Sequence, residues 1–239
     1  NLINEERKIK FVVYIKTVLG EDEYLTNGNL KVEKQGNCLK IKNAFREECF
    51  ESRTMFITSN LKINSYTGDK SNFLGNGDIL NPDALYKNLN NSSGLGKDSC
   101  VGIEFVLKLS KLEDKKFNIV IGEENSENKI IEIAEKYQEE ENVQIELEKT
   151  KAIWNDILNT IKVKTPSKEL DILMNGWLVY QTLASRILGK TGFYQSGGAY
   201  GFRDQLQDCF GIKYINSEYL RKQIINCARH QFIEGDVLH

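Results

Sequence analysis

Between Tyr194 and Asp208 the chain reads Tyr-Gln-Ser-Gly-Gly-Ala-Tyr-Gly-Phe-Arg-Asp-Gln-Leu-Gln-Asp, which gathers glycines, amides, an arginine and two carboxylates at the entry to a helical segment. Glycines let backbone N–H groups approach a ligand where a side chain would obstruct. Arg203 beside Asp204 sets a rigid donor fork next to an acceptor, a combination suited to the vicinal hydroxyls of a sugar. The pair also has a plainer reading, in which Asp204 is an N-cap held by its neighbour. Asp208 follows Asp204 by four residues, so a continuing helix puts both carboxylates on one face, where they need a cationic partner or solvent. Asp208 then supports the site from behind. Gln195 and Gln207 add amides that either bind sugar or face water.

Other chemistry-bearing residues read as structural. Trp154-Asn155-Asp156 lies in a segment with Ile153, Ile157 and Leu158 at helical spacing, so the tryptophan is expected in a core and Asp156 in solvent. The two histidines, His230 and His239, are far from any ligand-spaced carboxylates, and no metal site is expected. The five cysteines, Cys38, Cys49, Cys100, Cys209 and Cys227, form no Cys-x-x-Cys pair and are odd in number. That usage favours reduced, buried thiols in a cytoplasmic protein over a disulfide framework.

The elements that must position these residues divide by hydrophobic period. Up to about Gly122 apolar residues alternate, as in Phe11, Val13 and Ile15, then Val101, Ile103, Phe105, Leu107 and Leu109, then Phe117, Ile119 and Ile121. This half predicts antiparallel strands, with a hairpin turn at Leu112-Glu113-Asp114 and a solvated loop from Asn88 to Lys97. From Glu127 the spacing becomes helical, through Ile130, Ile133, Ala134 and Tyr137 and then Ile153, Ile157, Leu158 and Ile161. Thr165 or Ser167 can cap the next helix, Pro166 fits its first turn and Gly189 can end it. The 239 residues suffice for one or two domains with cores. With 32 basic and 34 acidic residues the net charge is −2, which argues against nucleic acid as a partner. No apolar run approaches the ~18 residues of a membrane span, and the first residues do not resemble a signal peptide.

The Tyr194–Asp208 run resembles the signature of the family 94 glycoside hydrolases, the inverting phosphorylases once classed as glycosyltransferases. Ser65-Tyr66-Thr67-Gly68-Asp69, followed by Asn72-Phe73-Leu74-Gly75 and Asn81-Pro82, resembles a loop of the family's β-sandwich domain. Thr165-Pro166, Leu170 to Leu173, Asn175-Gly176-Trp177-Leu178 and Tyr180-Gln181 resemble its first barrel helix. Ala228-Arg229-His230-Gln231-Phe232 with Glu234-Gly235-Asp236 resembles a later one. These blocks stand in the family's order and span most of the chain. The resemblance implies an α+β multidomain chain: part of an antiparallel β-sandwich over residues 1–126, a helical linker over 127–164, and the first helices of an (α/α)6 barrel over 165–239. Both ends are accordingly expected to be cut from a larger enzyme.

What the resemblance implies for function is reversible phosphorolysis of a β-glucan to α-glucose 1-phosphate, with inorganic phosphate as co-substrate and no cofactor. The partners are then a β-glucan oligosaccharide and phosphate, with a homodimer as the candidate assembly. Phosphate is already anionic and needs no general base, so one carboxylic acid suffices. The family carries that acid in an Asp-Trp-Asn-Asp motif downstream of the Phe-Arg-Asp block, so no catalytic residue is expected in this chain and no turnover from the chain alone. The family's pair matching Arg203 and Asp204 lies in the glucosyl subsite. Cellobiose-type members place an arginine where this chain has Gly198, and Tyr194 to Ala199 is closer to β-1,2-oligoglucan phosphorylases and the phosphorylase-like module of cyclic β-1,2-glucan synthases. Three functions stay open: a phosphorylase, such a synthase module, or a non-catalytic carbohydrate-binding remnant.

Overall fold

The structure is a computed structural model that describes residues 1–20, 22–45, 53–189 and 202–237. It is an α+β chain with antiparallel sheets and two compact units, Asn1–Gln144 and Ile145–His239.

The first unit contains strands β1 (Arg7–Ile15), β2 (Leu30–Gln35), β3 (Cys38–Asn43), β4 (Thr54–Ser59), β5 (Ile63–Asp69), β6 (Ser99–Leu109) and β7 (Ile119–Glu124). They pair as two antiparallel sheets, β1-β6-β5 and β2-β3-β4-β7. Leu30, Val32, Leu39, Ile41 and Ile57 of one sheet pack on Ile63, Val101, Ile103 and Phe105 of the other. Burying each such side chain contributes about 1.5–3 kcal/mol relative to exposure, which makes this contact the main source of stability in the unit. The short helices α1 (Glu23–Thr26) and α2 (Lys70–Leu74) are capped by Asp22 and Asp69. Phe73 of α2, with Ala84 and Leu89, covers Val12, Tyr14 and Cys100 on the outer face of the first sheet. Ile130 and Ile133 of α3 (Glu127–Lys136) pack on Cys38, Phe56 and Val120 of the second.

Two expectations for this half need correcting. The Leu112-Glu113-Asp114 step is not a hairpin, because β6 is central in its sheet, with β1 and β5 on its two edges, and so has no edge left for β7. The chain crosses instead to β4 of the other sheet. The Ser65–Asp69 motif is not a loop but most of β5, paired with β6 through two irregularities that accommodate its mixed pattern. The stretch from Asn88 to Lys97 is the surface loop expected, with Asn88, Asn90, Asn91, Leu95, Gly96 and Lys97 exposed, yet it is tied down along its length. Leu89 is buried, Asn91 N donates to Tyr66 O at 2.8 Å, Gly68 N to Ser92 O at 3.0 Å, Val32 N to Ser93 O at 2.9 Å and Gly96 N to Gly28 O at 2.7 Å. It runs along the otherwise unpaired edges of β5 and β2. The approach is so close that a Cβ on Gly94, whose φ is +75°, would stand 2.2 Å from Gly68 O.

The second unit is helical. α4 (Glu140–Asn159) leads into it. α5 (Lys168–Ile172) continues through a wider π segment (Leu173–Trp177), α6 (Leu178–Gln181) and a second π segment (Thr182–Leu188) as one rod that ends at Gly189. α7 (Phe202–Cys209), a 3-10 turn (Phe210–Ile212) and α8 (Ser217–Ala228) follow. Leu183, Ile187, Cys209 and Ile212 form the core, with Trp154, Ile157, Val179, Tyr219 and Leu220 against it. Of the two expected caps, Ser167 is the one used: its Oγ accepts from Leu170 N. Pro166 stands before this cap rather than in the first turn. Thr165 is tied instead to the Asp171 carboxylate through both its N–H and its hydroxyl. The apolar stripe of α4 is also narrower than its spacing suggests. Trp154 and Ile157 pack, whereas Ile153 is 60% exposed. The block from Ala228 to Asp236 is only partly helical. α8 ends at Ala228, and Phe232 N closes a turn onto Asp236 O at 2.9 Å, with Gly235 at φ +96°.

Candidate functional site

Of the predicted sugar-contacting residues, Gln195 lies outside the described residues, as does the glycine-rich part of the run up to Gly201. The other four stand on α7. At about 100° per residue the order around the helix is Arg203, Gln207, Asp204, Asp208, one contiguous polar arc. The opposite side is set by Gln205 and Cys209, both buried. The sequence folds this way locally because Cys209 and the adjacent Ile212 belong to the core of the unit, which turns the Arg-Asp side of the helix outward.

Arg203 and Asp204 are accessible, with side chains 83% and 53% exposed, and their closest approach is 3.8 Å. That separation is too long for a hydrogen bond, so they attract one another while each can still engage a hydroxyl. Asp204 lies within the first turn of α7 and is not its N-cap. The helix dipole there favours its negative charge. Gln207 is exposed beside Arg203. Asp208 differs from Asp204: its Oδ2 accepts from Arg186 Nε at 2.5 Å, and both side chains are about two-thirds buried. The cationic partner that two like charges on one face require is therefore present for Asp208.

Two contributors escaped the sequence reading. Arg186 stands in the π segment of the preceding rod, 22 residues from its partner, and nothing in a local pattern signals the pair. Gln205 accepts from Gln223 Nε2 at 2.5 Å in a buried contact, and Gln223 also reaches Cys227 Sγ at 3.8 Å. A signal existed here. Gln205 is four residues before the buried Cys209, so an amide falls on the apolar side of α7 and needs a buried partner.

The remaining candidates are placed as follows. Asn155 and Asp156 are exposed on α4 while Trp154 packs against Tyr180, ring centres 5.0 Å apart. His230 is at the surface past the end of α8, its Nδ1 2.8 Å from Asn226 O, and His239 lies outside the described residues. Cys38, Cys100, Cys209 and Cys227 are buried free thiols, and Cys49 lies outside the described residues. Burial pushes the Cys100 thiol up to about 12 and that of Cys209 up to about 11, and raises those of Cys38 and Cys227, so none is poised as a nucleophile near neutral pH.

Buried charge in the first unit is matched internally. Glu104 on β6, 1% exposed, accepts from Asn64 Nδ2 at 2.5 Å and Ser65 Oγ at 2.8 Å and pairs with Lys10 Nζ at 3.2 Å. Burial alone would raise its carboxyl, but the hydrogen bonds from Ser65, Asn64 and Lys10 outweigh it and hold the group below the usual glutamate range. Lys40 on β3 is likewise buried against Gln35 and Glu127. Among the described residues no cluster of three His, Cys, Asp or Glu could hold a metal, and no helix is long and apolar enough to cross a membrane.

Two family profiles match the chain: the glycosyl hydrolase 94 supersandwich domain over residues 1–140, and the catalytic domain of the glycosyl hydrolase 94 superfamily over residues 153–239. A cyclic beta-(1,2)-glucan synthase of Rhizobium meliloti is 30% identical across all of the chain, which covers 8% of that protein. An N,N'-diacetylchitobiose phosphorylase of Vibrio proteolyticus is 29% identical over 77% of the chain and 23% of its own length. A cellobionic acid phosphorylase of Neurospora crassa is 24% identical over 82% of the chain and 24% of its own length. The chain thus spans between 8% and 24% of the length of these relatives.

Proposed function

This chain belongs to the glycosyl hydrolase 94 superfamily, and from that premise we propose that the protein is an inverting glycoside phosphorylase acting on a β-glucan. The observation that carries the reading is the exposed Arg203-Asp204 pair at the head of the polar arc of α7, inside the stretch matched by the family's catalytic domain. In this reading Asp204 accepts hydrogen bonds from hydroxyls of the glucosyl unit and Arg203 donates to them. Gln195 and Gln207 add amide contacts. A phosphate oxygen attacks the anomeric carbon as the β-glycosidic C–O bond breaks, and a carboxylic acid gives its proton to the departing sugar oxygen. The products are α-glucose 1-phosphate and a glucan one unit shorter. That acid belongs to the family's Asp-Trp-Asn-Asp motif, so the residues of this chain recognise sugar and do not transfer the proton. The helices of the second unit are in this reading the opening part of an (α/α)6 barrel. Phosphate is a co-substrate, and no cofactor is called for.

The similarity to a cyclic beta-(1,2)-glucan synthase across the whole chain favours a second reading, a phosphorylase-like module that trims glucan length. Full-length protein incubated with β-1,2-glucooligosaccharides should release glucose 1-phosphate in step with glucan shortening, and only when phosphate is present. Shortening without glucose 1-phosphate would favour the trimming module. Neither product at saturating phosphate would leave carbohydrate binding as the function.

A further inference from the structure

We propose that Arg186 and Asp208 form a positioning pair that sets the rotation of α7 and so aims Arg203 and Asp204 at the sugar; this rests on the sugar-binding reading of those two residues. Asp208 shares its face with Asp204, one turn on, yet its Oδ2 is engaged by Arg186 Nε at 2.5 Å. Arg186 itself is held firmly, since Leu183 and Ile187 in the same π segment are buried in the core of the unit. A second pin lies three residues before Asp208, where Gln205 meets Gln223 of α8 at 2.5 Å. The two pins are therefore about 60° apart around α7 and about 4.5 Å apart along it, and they reach different segments.

Such a pair fixes rotation, which apolar contact alone does not. Cys209 anchors α7 through non-directional contact and permits a small roll. With side-chain tips about 6 Å from the helix axis, a roll of about 10° sweeps Asp204 by about 1 Å. Misplacement on that scale costs up to about a hundredfold in rate where binding geometry governs the reaction. The charge-assisted bond from Arg186 resists this roll on the side of the arc that carries Asp204. Arg186 and Asp208 thus act on the sugar only through the residues they orient.

The test is a double-mutant cycle in the full-length protein, reading glucose 1-phosphate formed from β-1,2-glucooligosaccharides and inorganic phosphate. Asp208→Asn should lower kcat/KM for the glucan about tenfold in the wild-type background and less than twofold in an Asp204→Asn background, with KM for phosphate unchanged. Arg186→Lys, which keeps the charge but loses the fork, should show the same background dependence at about threefold, and it serves if Asp208→Asn does not fold. Combining Arg186→Asp with Asp208→Arg should recover most of the loss. A loss of equal size in both backgrounds would overturn the proposal, because Asp208 would then act independently of Asp204. If Asp204→Asn were itself silent, the sugar-binding reading would fail first and carry the proposal with it.

Discussion

The two units solve the placement of charge in opposite ways. In the sandwich, Glu104 and Lys40 are sunk in the fold and matched by other protein groups, the first by Asn64, Ser65 and Lys10 and the second by Gln35 and Glu127. In the helical unit, the charges of α7 are graded across one face, from Asp208 held by Arg186 to Arg203 and Asp204 left open to solvent. Apolar side chains differ likewise. The paired sheets enclose Ile57, Ile103 and Phe105 between them, with exposed apolar residues such as Leu80 and Tyr86 carried on a connection, whereas the rod from 168 to 188 exposes Ile172, Trp177 and Met174 within a regular element. The difference teaches that a charge sunk in the fold is matched by protein groups, while Arg203 and Asp204 on α7 keep their polar atoms accessible to solvent.

The contrast predicts that damage to the sandwich costs stability and damage to α7 costs recognition. Ile103→Ala, which empties a site between the sheets, should lower unfolding free energy by about 2–5 kcal/mol in urea titration while kcat/KM well below the melting temperature stays within twofold. A loss of activity without a loss of stability would break the division of labour. Asp204→Asn should do the reverse. Charged hydrogen bonds contribute about 1.5–3 kcal/mol, so kcat/KM should fall by tens to hundreds of fold with little change in melting temperature. Asp156→Asn, on the exposed face of α4, is its control and should leave activity near wild type.

A smaller effect sharpens the comparison through pH. The carboxyl of Glu104 is held below the ordinary glutamate value near 4.5, so the stability it contributes is complete above that value and is lost as pH falls through the depressed folded one. Between neutral pH and pH 3 the wild type should therefore lose more stability than Glu104→Gln, measured by chemical unfolding at each pH. Equal slopes would show that the cluster around Glu104 is indifferent to its charge. The smallest expected effect is none at all: with Cys38, Cys100, Cys209 and Cys227 buried as free thiols, melting curves with and without reductant should coincide. A large drop on adding reductant would reveal a structural disulfide.

Much of the fold was legible where local pattern and tertiary role coincide. The alternation from Phe11 to Ile15 and from Val101 to Leu109 became β1 and β6 because both strands have one face turned to the shared core. Alternation carries no information about which sheet a strand joins, and so the turn at Leu112 reads as a hairpin although it leads from one sheet to the other. Helical spacing located α4 but not its packed stripe, because Ile153 and Trp154 differ by one residue and only tertiary contact chooses between them. At the candidate site, the grouping of Arg203, Asp204, Gln207 and Asp208 on one arc follows from helix period alone. The role of Asp208 does not, since Arg186 reaches it from another segment.

The segment from Asn91 to Gly96 also gives the sandwich a mechanical property. Two sheets joined by apolar side chains resist being pulled apart, yet such contacts slide past one another with little directional penalty. Here main-chain bonds tie Asn91 and Ser92 to Tyr66 and Gly68 at the edge of one sheet, and Ser93 and Gly96 to Val32 at the edge of the other and Gly28 just before it, through a single short length of chain. Shearing the layers would stretch several hydrogen bonds at once, so the strap works as a cross-brace. The side chains of Asn91 and Ser92 add ties to Tyr66 N and Thr67 Oγ1, and Gly68 and Gly94 are two points where an added methyl would force the brace open.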